Sequence, residues 1–75
     1  MEVNQVLDAK GLSCPLPIVR AKKAMDTLAT GQVLEVHVTD KGALSDFPAW
    51  AKSSGHEILD QSIEADVIKF IIKKG

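Results

Sequence analysis

The stretch Asn4-Gln5-Val6-Leu7-Asp8-Ala9-Lys10-Gly11-Leu12-Ser13-Cys14-Pro15-Leu16-Pro17-Ile18 passes from one backbone habit to another, and it sets the fold. Asn4 to Ala9, centred on Val6 and Leu7, is short and β-compatible, and Lys10-Gly11 permits a turn at its end. Beyond the prolines, Ile18, Ala21, Met25 and Leu28 recur at spacings of three, four and three, while Arg20, Lys22, Lys23 and Asp26 fall elsewhere around the cylinder. That pattern predicts an amphipathic helix. Prolines are tolerated at its start because the first-turn N–H groups have no intrahelical acceptor, and Gly31 after Thr30 is the expected stop.

Working outward, Val33 to Thr39 alternates, with Leu34, Val36 and Val38 on one face and Val33, Glu35 and His37 on the other. This predicts a strand buried on one side. Leu44, Phe47, Trp50 and Ala51 mark a second helix, with Asp40 or Ser45 as its cap and Ser53-Ser54-Gly55 as its close. Pro48 must then lie in its first turn or mark a kink. His56 to Gln61 reads as a strand, Ser62 to Glu64 as a connection, and Ala65 to Lys74 as the longest strand, with Ile68, Phe70 and Ile72 facing inward. The order is βαβαββ. Strand, helix and strand in succession favour a parallel crossover, so the expected fold is α+β: a two-layer sandwich of a four-stranded mixed sheet with two helices on one face. Phe47, Trp50 and Phe70 are read as core, His37 and His56 as surface polar residues. The uncovered sheet face would carry Val33, Val67 and Ile71 among charged residues, an ordinary surface.

The length of 75 residues fits one domain, 1–75, with no linker, repeat or low-complexity tract. A chain of this size buries only roughly 60% of its unfolded surface, which leaves no residues for a deep substrate chamber. Nine Lys and Arg against ten Asp and Glu argue against a general nucleic-acid binder, and 45% hydrophobic residues argue against disorder. A single Cys forms no internal disulfide, and with only His37 and His56 beside it a zinc site is not expected. The amino terminus lacks the pattern of an export signal and nothing is apolar for long enough to span a bilayer, so a soluble cytoplasmic protein is expected.

Cys14 is the one side chain with strong nucleophilic potential, and it stands at a strand-to-helix junction. The unpaired N–H groups and the positive end of the helix dipole favour thiolate over thiol there. From Ala9 to Met25 the chain holds Lys10, Arg20, Lys22 and Lys23 and no acid, a charge of +4, which leaves five cations against ten acids elsewhere. Basic residues so near a helix start work against the dipole; the charges alone favour an incidental solvated face, with docking of an acidic partner or stabilisation of an anion as the functional alternative. Three thiol chemistries separate here. A dithiol oxidoreductase needs a resolving Cys, which is absent. A cysteine hydrolase needs a general base and an oxyanion hole beside a cleft, and nothing ties His37 or His56 to Cys14. A lone exposed thiolate that carries a group between larger partners needs neither, and fits best. A non-catalytic interaction module with a structural Cys, and a thiol redox sensor, stay open.

Leu7-Asp8-Ala9-Lys10-Gly11-Leu12-Ser13-Cys14-Pro15-Leu16-Pro17 resembles the signature of the TusA/SirA-like sulfur carriers, a short strand followed by Asp-x-x-Gly-Leu-x-Cys-Pro-x-Pro. Asp46-Phe47-Pro48 with Trp50, and Phe70-Ile71-Ile72-Lys73-Lys74-Gly75, are similar to the family's second helix and last strand, so the resemblance covers essentially the whole chain. It implies a protein that receives sulfane sulfur on Cys14 as a persulfide and relays it to an acceptor protein. The implied donor is a cysteine desulfurase or a rhodanese. The family's prolines correspond to Pro15 and Pro17, and its Asp and Gly to Asp8 and Gly11, expected supports of the loop; Arg20, Lys22 and Lys23 are the expected docking residues. No cofactor, metal, nucleic acid or membrane enters this reading, and a monomer is expected. The members that serve transfer-RNA thiolation carry an Arg and a Glu where this chain has Ser13 and Leu16, so the pathway served stays open.

Overall fold

The computed structural model describes residues 3–13 and 16–75. The elements run β1(Gln5–Ala9), α1(Leu16–Asp26), β2(Val33–Val38), α2(Ala43–Ser54), β3(Glu57–Glu64) and β4(Val67–Lys73). The sheet order is β1-β2-β4-β3. β1 and β2 are parallel, with Ala9 opposite Val38, and β4 runs antiparallel to both β2 and β3. This is the expected α+β sandwich with a four-stranded mixed sheet.

Both helices pack on one face because both present their apolar stripe to the same strand residues. Ala21, Ala24 and Met25 of α1 and Ala43 and Phe47 of α2 join Leu34, Val36, Val38, Ile68, Phe70 and Ile72 in a single cluster. Phe47 stacks on Phe70 at 4.7 Å between centroids, and Trp50 meets Phe47 edge-on at 5.9 Å. Burial of each phenyl ring contributes about 1.5–3 kcal/mol, so these two rings carry a large share of a core this thin. Trp50 is only half-buried at its rim.

Several boundaries differ from expectation. α1 stops at Asp26, where Thr27 and Leu28 donate their amides three residues back, to Ala24 and Met25; Gly31, at φ +90°, belongs to the following turn and donates to the Lys74 carbonyl at 2.8 Å. Gly55 does end α2 as read: at φ +80° it lets the amides of Gly55 and His56 return to the carbonyls of Lys52 and Ala51. Pro48 is neither in the first turn nor buried; it sits inside α2 with its ring exposed. Asp40 does not cap α2 in the usual way, since Gly42 is the N-cap residue; the Asp40 carboxylate instead takes the Gly42 amide at 3.0 Å. Ser62 to Glu64 is no connection but the end of β3, which at eight residues outruns the seven of β4. The real connection is the pair Ala65-Asp66, with Ala65 at φ +53°, a tight two-residue hairpin loop.

The uncovered sheet face also departs from expectation. Val33 and Ile71 are only 8% and 7% exposed although no helix covers them. They lie on β2 and β4, the two central strands, where Lys73 stands opposite Val33, and Glu35 and Asp60 flank Ile71. Aliphatic stems of long charged neighbours shield such positions while their heads stay in water. No helix among the described residues is long and apolar enough to cross a membrane.

Candidate functional site

Cys14 and Pro15 lie outside the described residues, and the site is built from what brackets them. Because β1 and β2 are parallel and adjacent, the loops that leave their carboxyl ends emerge side by side. In sheets of this kind that edge is where loops converge to form sites. The β1–α1 loop begins with the Asp8 carboxylate accepting the Lys10 amide at 3.0 Å, and the Leu12 amide reaches back to the Ala9 carbonyl at 3.3 Å. Gly11 turns the chain at φ +81°, and a β-carbon built there would meet nothing within 4 Å, so the demand for glycine is one of backbone conformation rather than space. The Gly11 amide donates to the Thr39 hydroxyl of the β2–α2 loop at 2.9 Å. On the far side of Cys14 and Pro15, the Leu16 amide closes on the Ser13 carbonyl at 2.9 Å and α1 begins.

α1 turns two surfaces outward. Pro17 is buried at its start, whereas Leu16 and Val19, one turn apart, remain 49% and 42% exposed. Arg20, Lys22 and Lys23 are all exposed, and no acid occupies the first turn. Ile18, Val19, Lys22, Lys23, Asp26 and Trp50 line a groove of about 600 Å³ between α1 and α2. An apolar strip bordered by cations therefore starts immediately after the Cys14-Pro15 pair. Arg20 is exposed on the same helix without lining that groove.

The two histidines lie elsewhere. His37 projects from the uncovered sheet face, with Nε2 2.6 Å from a Glu35 carboxylate oxygen. His56 lies at the opposite end of the sheet, before β3, where its Nδ1 accepts the Gly75 amide at 3.1 Å and its ring faces Trp50 at 5.2 Å. Its pKa is held below 6.5, first by burial, then by the nearby Lys74 ammonium, against the opposing pull of Asp26. His56 is thus a partly exposed polar residue that joins the end of α2 to the start of β3. Among the described residues no group of three or more His, Cys, Asp or Glu is placed to hold a metal ion.

Asp8, Gly11, Pro17, Arg20, Lys22 and Lys23, read from the sequence, all lie on this loop and helix, and the structure adds Thr39, Leu16 and Val19 beside them. For Leu16 and Val19 a signal existed, since both are apolar residues off the phase of the Ile18-Ala21-Met25 stripe. For Thr39 the only signal was indirect: parallel pairing of the first two strands makes their following loops neighbours.

Comparison with known proteins points to one family and one fold. The family described as Sulfurtransferase TusA matches residues 5–74. The protein YrkI of Bacillus subtilis is 61% identical over 75 residues, with all of both chains covered. The sulfur carrier protein TusA of Allochromatium vinosum is 48% identical over 73 residues, covering 97% of this chain and 96% of that one. Among solved structures, a SirA-like protein from Desulfitobacterium hafniense superposes with a TM-score of 0.84 at 30% identity, over 95% of this chain and 97% of the other.

Proposed function

We propose that this chain, which belongs to the sulfurtransferase TusA family and is a sulfur carrier, takes sulfane sulfur onto Cys14 as a persulfide and hands it to an acceptor protein. Carriage requires a donor protein and an acceptor protein; in our reading the donor is a cysteine desulfurase or a rhodanese, and the carrier works as a cytoplasmic monomer. The Cys14 thiolate attacks the terminal sulfur of the donor's persulfide. One S–S bond forms, the donor's S–S bond breaks, and the electron pair leaves with the donor thiolate. An acceptor thiolate then attacks the terminal sulfur on Cys14 in the same way, releasing the Cys14 thiolate. Neither step needs an external oxidant or reductant, because each disulfide-type bond broken is replaced by one formed.

The observation that supports this reading most is the junction of loop and helix. α1 begins at Leu16, two residues past Cys14 in the sequence, with a first turn free of acid and an outer surface that presents Leu16, Val19, Arg20, Lys22 and Lys23. A persulfide anion at a helix start gains from the dipole and the orphan N–H groups, and the cations beside it suit an acidic partner surface. Asp8, Gly11 and Pro17 support the loop rather than react. The test is a relay: labelled sulfur on a persulfidated rhodanese should reach an acceptor thiol protein only when this chain is present, and the Cys14→Ser variant should deliver none. Equal delivery by the variant would remove Cys14 from the relay.

A further inference from the structure

The β1–α1 loop holds its shape partly through hydrogen bonds that close within a few residues: Asp8 to Lys10, Ala9 to Leu12 and Ser13 to Leu16. Local bonds of this kind fix curvature but leave the loop free to pivot as a unit about its ends. The bond from the Gly11 amide to the Thr39 hydroxyl, 2.9 Å long, is different in kind because it spans 28 residues of sequence. It joins the apex of the loop, where Gly11 turns at φ +81°, to Thr39, the first residue past the end of β2. β2 is laddered on both sides, to β1 and to β4, and is thus anchored in the sheet. Thr39 is also stiff: a β-branched side chain has few rotamers, so its hydroxyl is a fixed acceptor.

We infer that Thr39 is a positioning residue for the loop that carries Cys14, its hydroxyl tethering Gly11 of the β1–α1 loop to the end of the central strand β2. The inference rests on the reading of Cys14 as the sulfur-bearing residue. Thr39 touches no reacting atom in this role; it acts through Gly11. Since Thr39 is exposed and outside the core cluster, removal of its hydroxyl leaves the packing of the sandwich intact.

The test uses the full chain with Thr39→Val, which keeps the shape and loses the acceptor, and Thr39→Ser, which keeps the acceptor. Three quantities are read: the rate of Cys14 alkylation by iodoacetamide across pH, the rate of persulfide loading from a rhodanese charged with thiosulfate, and the melting temperature. Thr39→Val should slow both loading and alkylation about fivefold, the factor equivalent to one net hydrogen bond. Thr39→Ser should restore both, and the melting temperatures should agree within a few degrees. Wild-type loading and alkylation in Thr39→Val would overturn the inference, as would equal impairment in Thr39→Ser or an effect confined to the melting temperature. Alkylation needs no bound sulfur, so the two ideas fail separately. A wild-type chain that takes up no sulfur, together with alkylation slowed by Thr39→Val and restored by Thr39→Ser, would sink the carrier reading and uphold the tether.

Discussion

His56 shows how one side chain ties sequence to stability in so small a domain. Gly55 ends α2 in a left-handed turn, which delivers His56 into the corner where the last residues of the chain return. There its Nδ1 must be unprotonated to accept the Gly75 amide, and burial and Lys74 both oppose the imidazolium. With the folded pKa below 6.5, the unfolded chain takes up the proton first as pH falls. Stability from this group is thus present above about pH 6.5, declines as the pH drops through that value, and levels off below the folded pKa. Urea midpoints measured between about pH 7.5 and 5 should fall more steeply for the wild type than for His56→Asn, which cannot titrate. Parallel curves would show that the ring carries no linkage.

At the scale of elements, most of the architecture was legible because it rests on periodicity. Ile18, Ala21 and Met25 announced α1, and the alternation of Leu34, Val36 and Val38 announced β2. Less legible was whatever depended on partners distant in sequence. Ser62 to Glu64 reads as a connection in the sequence, yet pairing with Val67 to Lys69 draws it into β3. The turn was hidden for the same reason: Ala65-Asp66 is not a glycine or asparagine signature, and Ala65 adopts φ +53° because the hairpin imposes it. A positive φ at the first loop residue is the place where glycine is preferred. Ala65→Gly should therefore raise stability by about 0.5–1 kcal/mol, the backbone strain removed outweighing the entropy glycine adds to the unfolded chain. A lower urea midpoint for the variant would mean that Ala65 is unstrained. In the candidate site, the turn at Gly11 and the charges of α1 were readable from the residues and the parts of Asp8 and Pro17 only from the family resemblance, whereas the Thr39 tether required knowing that β1 and β2 are parallel neighbours.

At the scale of the whole molecule, a thin core under a single sheet face fits a protein that offers its reactive group outward rather than enclosing it. Its charge is arranged to match: the segment from Ala9 to Met25 carries +4 while the chain as a whole carries −1. Lys22 and Lys23 are exposed and bear no part of the buried core. Reversal of both to Glu should slow sulfur exchange with an acidic partner about tenfold at low salt and less at high salt, with melting temperatures within a few degrees of wild type. A stability loss without a rate effect would make these lysines structural. Behind all of this stands the claim that Cys14 itself bears the sulfur. The most direct measurement is the intact mass of the purified chain after anaerobic incubation with a cysteine desulfurase and cysteine, or with a rhodanese and thiosulfate. The mass should rise by one sulfur atom, which a reducing thiol removes and which Cys14→Ser never gains. An unchanged mass with both donor classes, while Cys14 remains free to react with iodoacetamide, would contradict that claim.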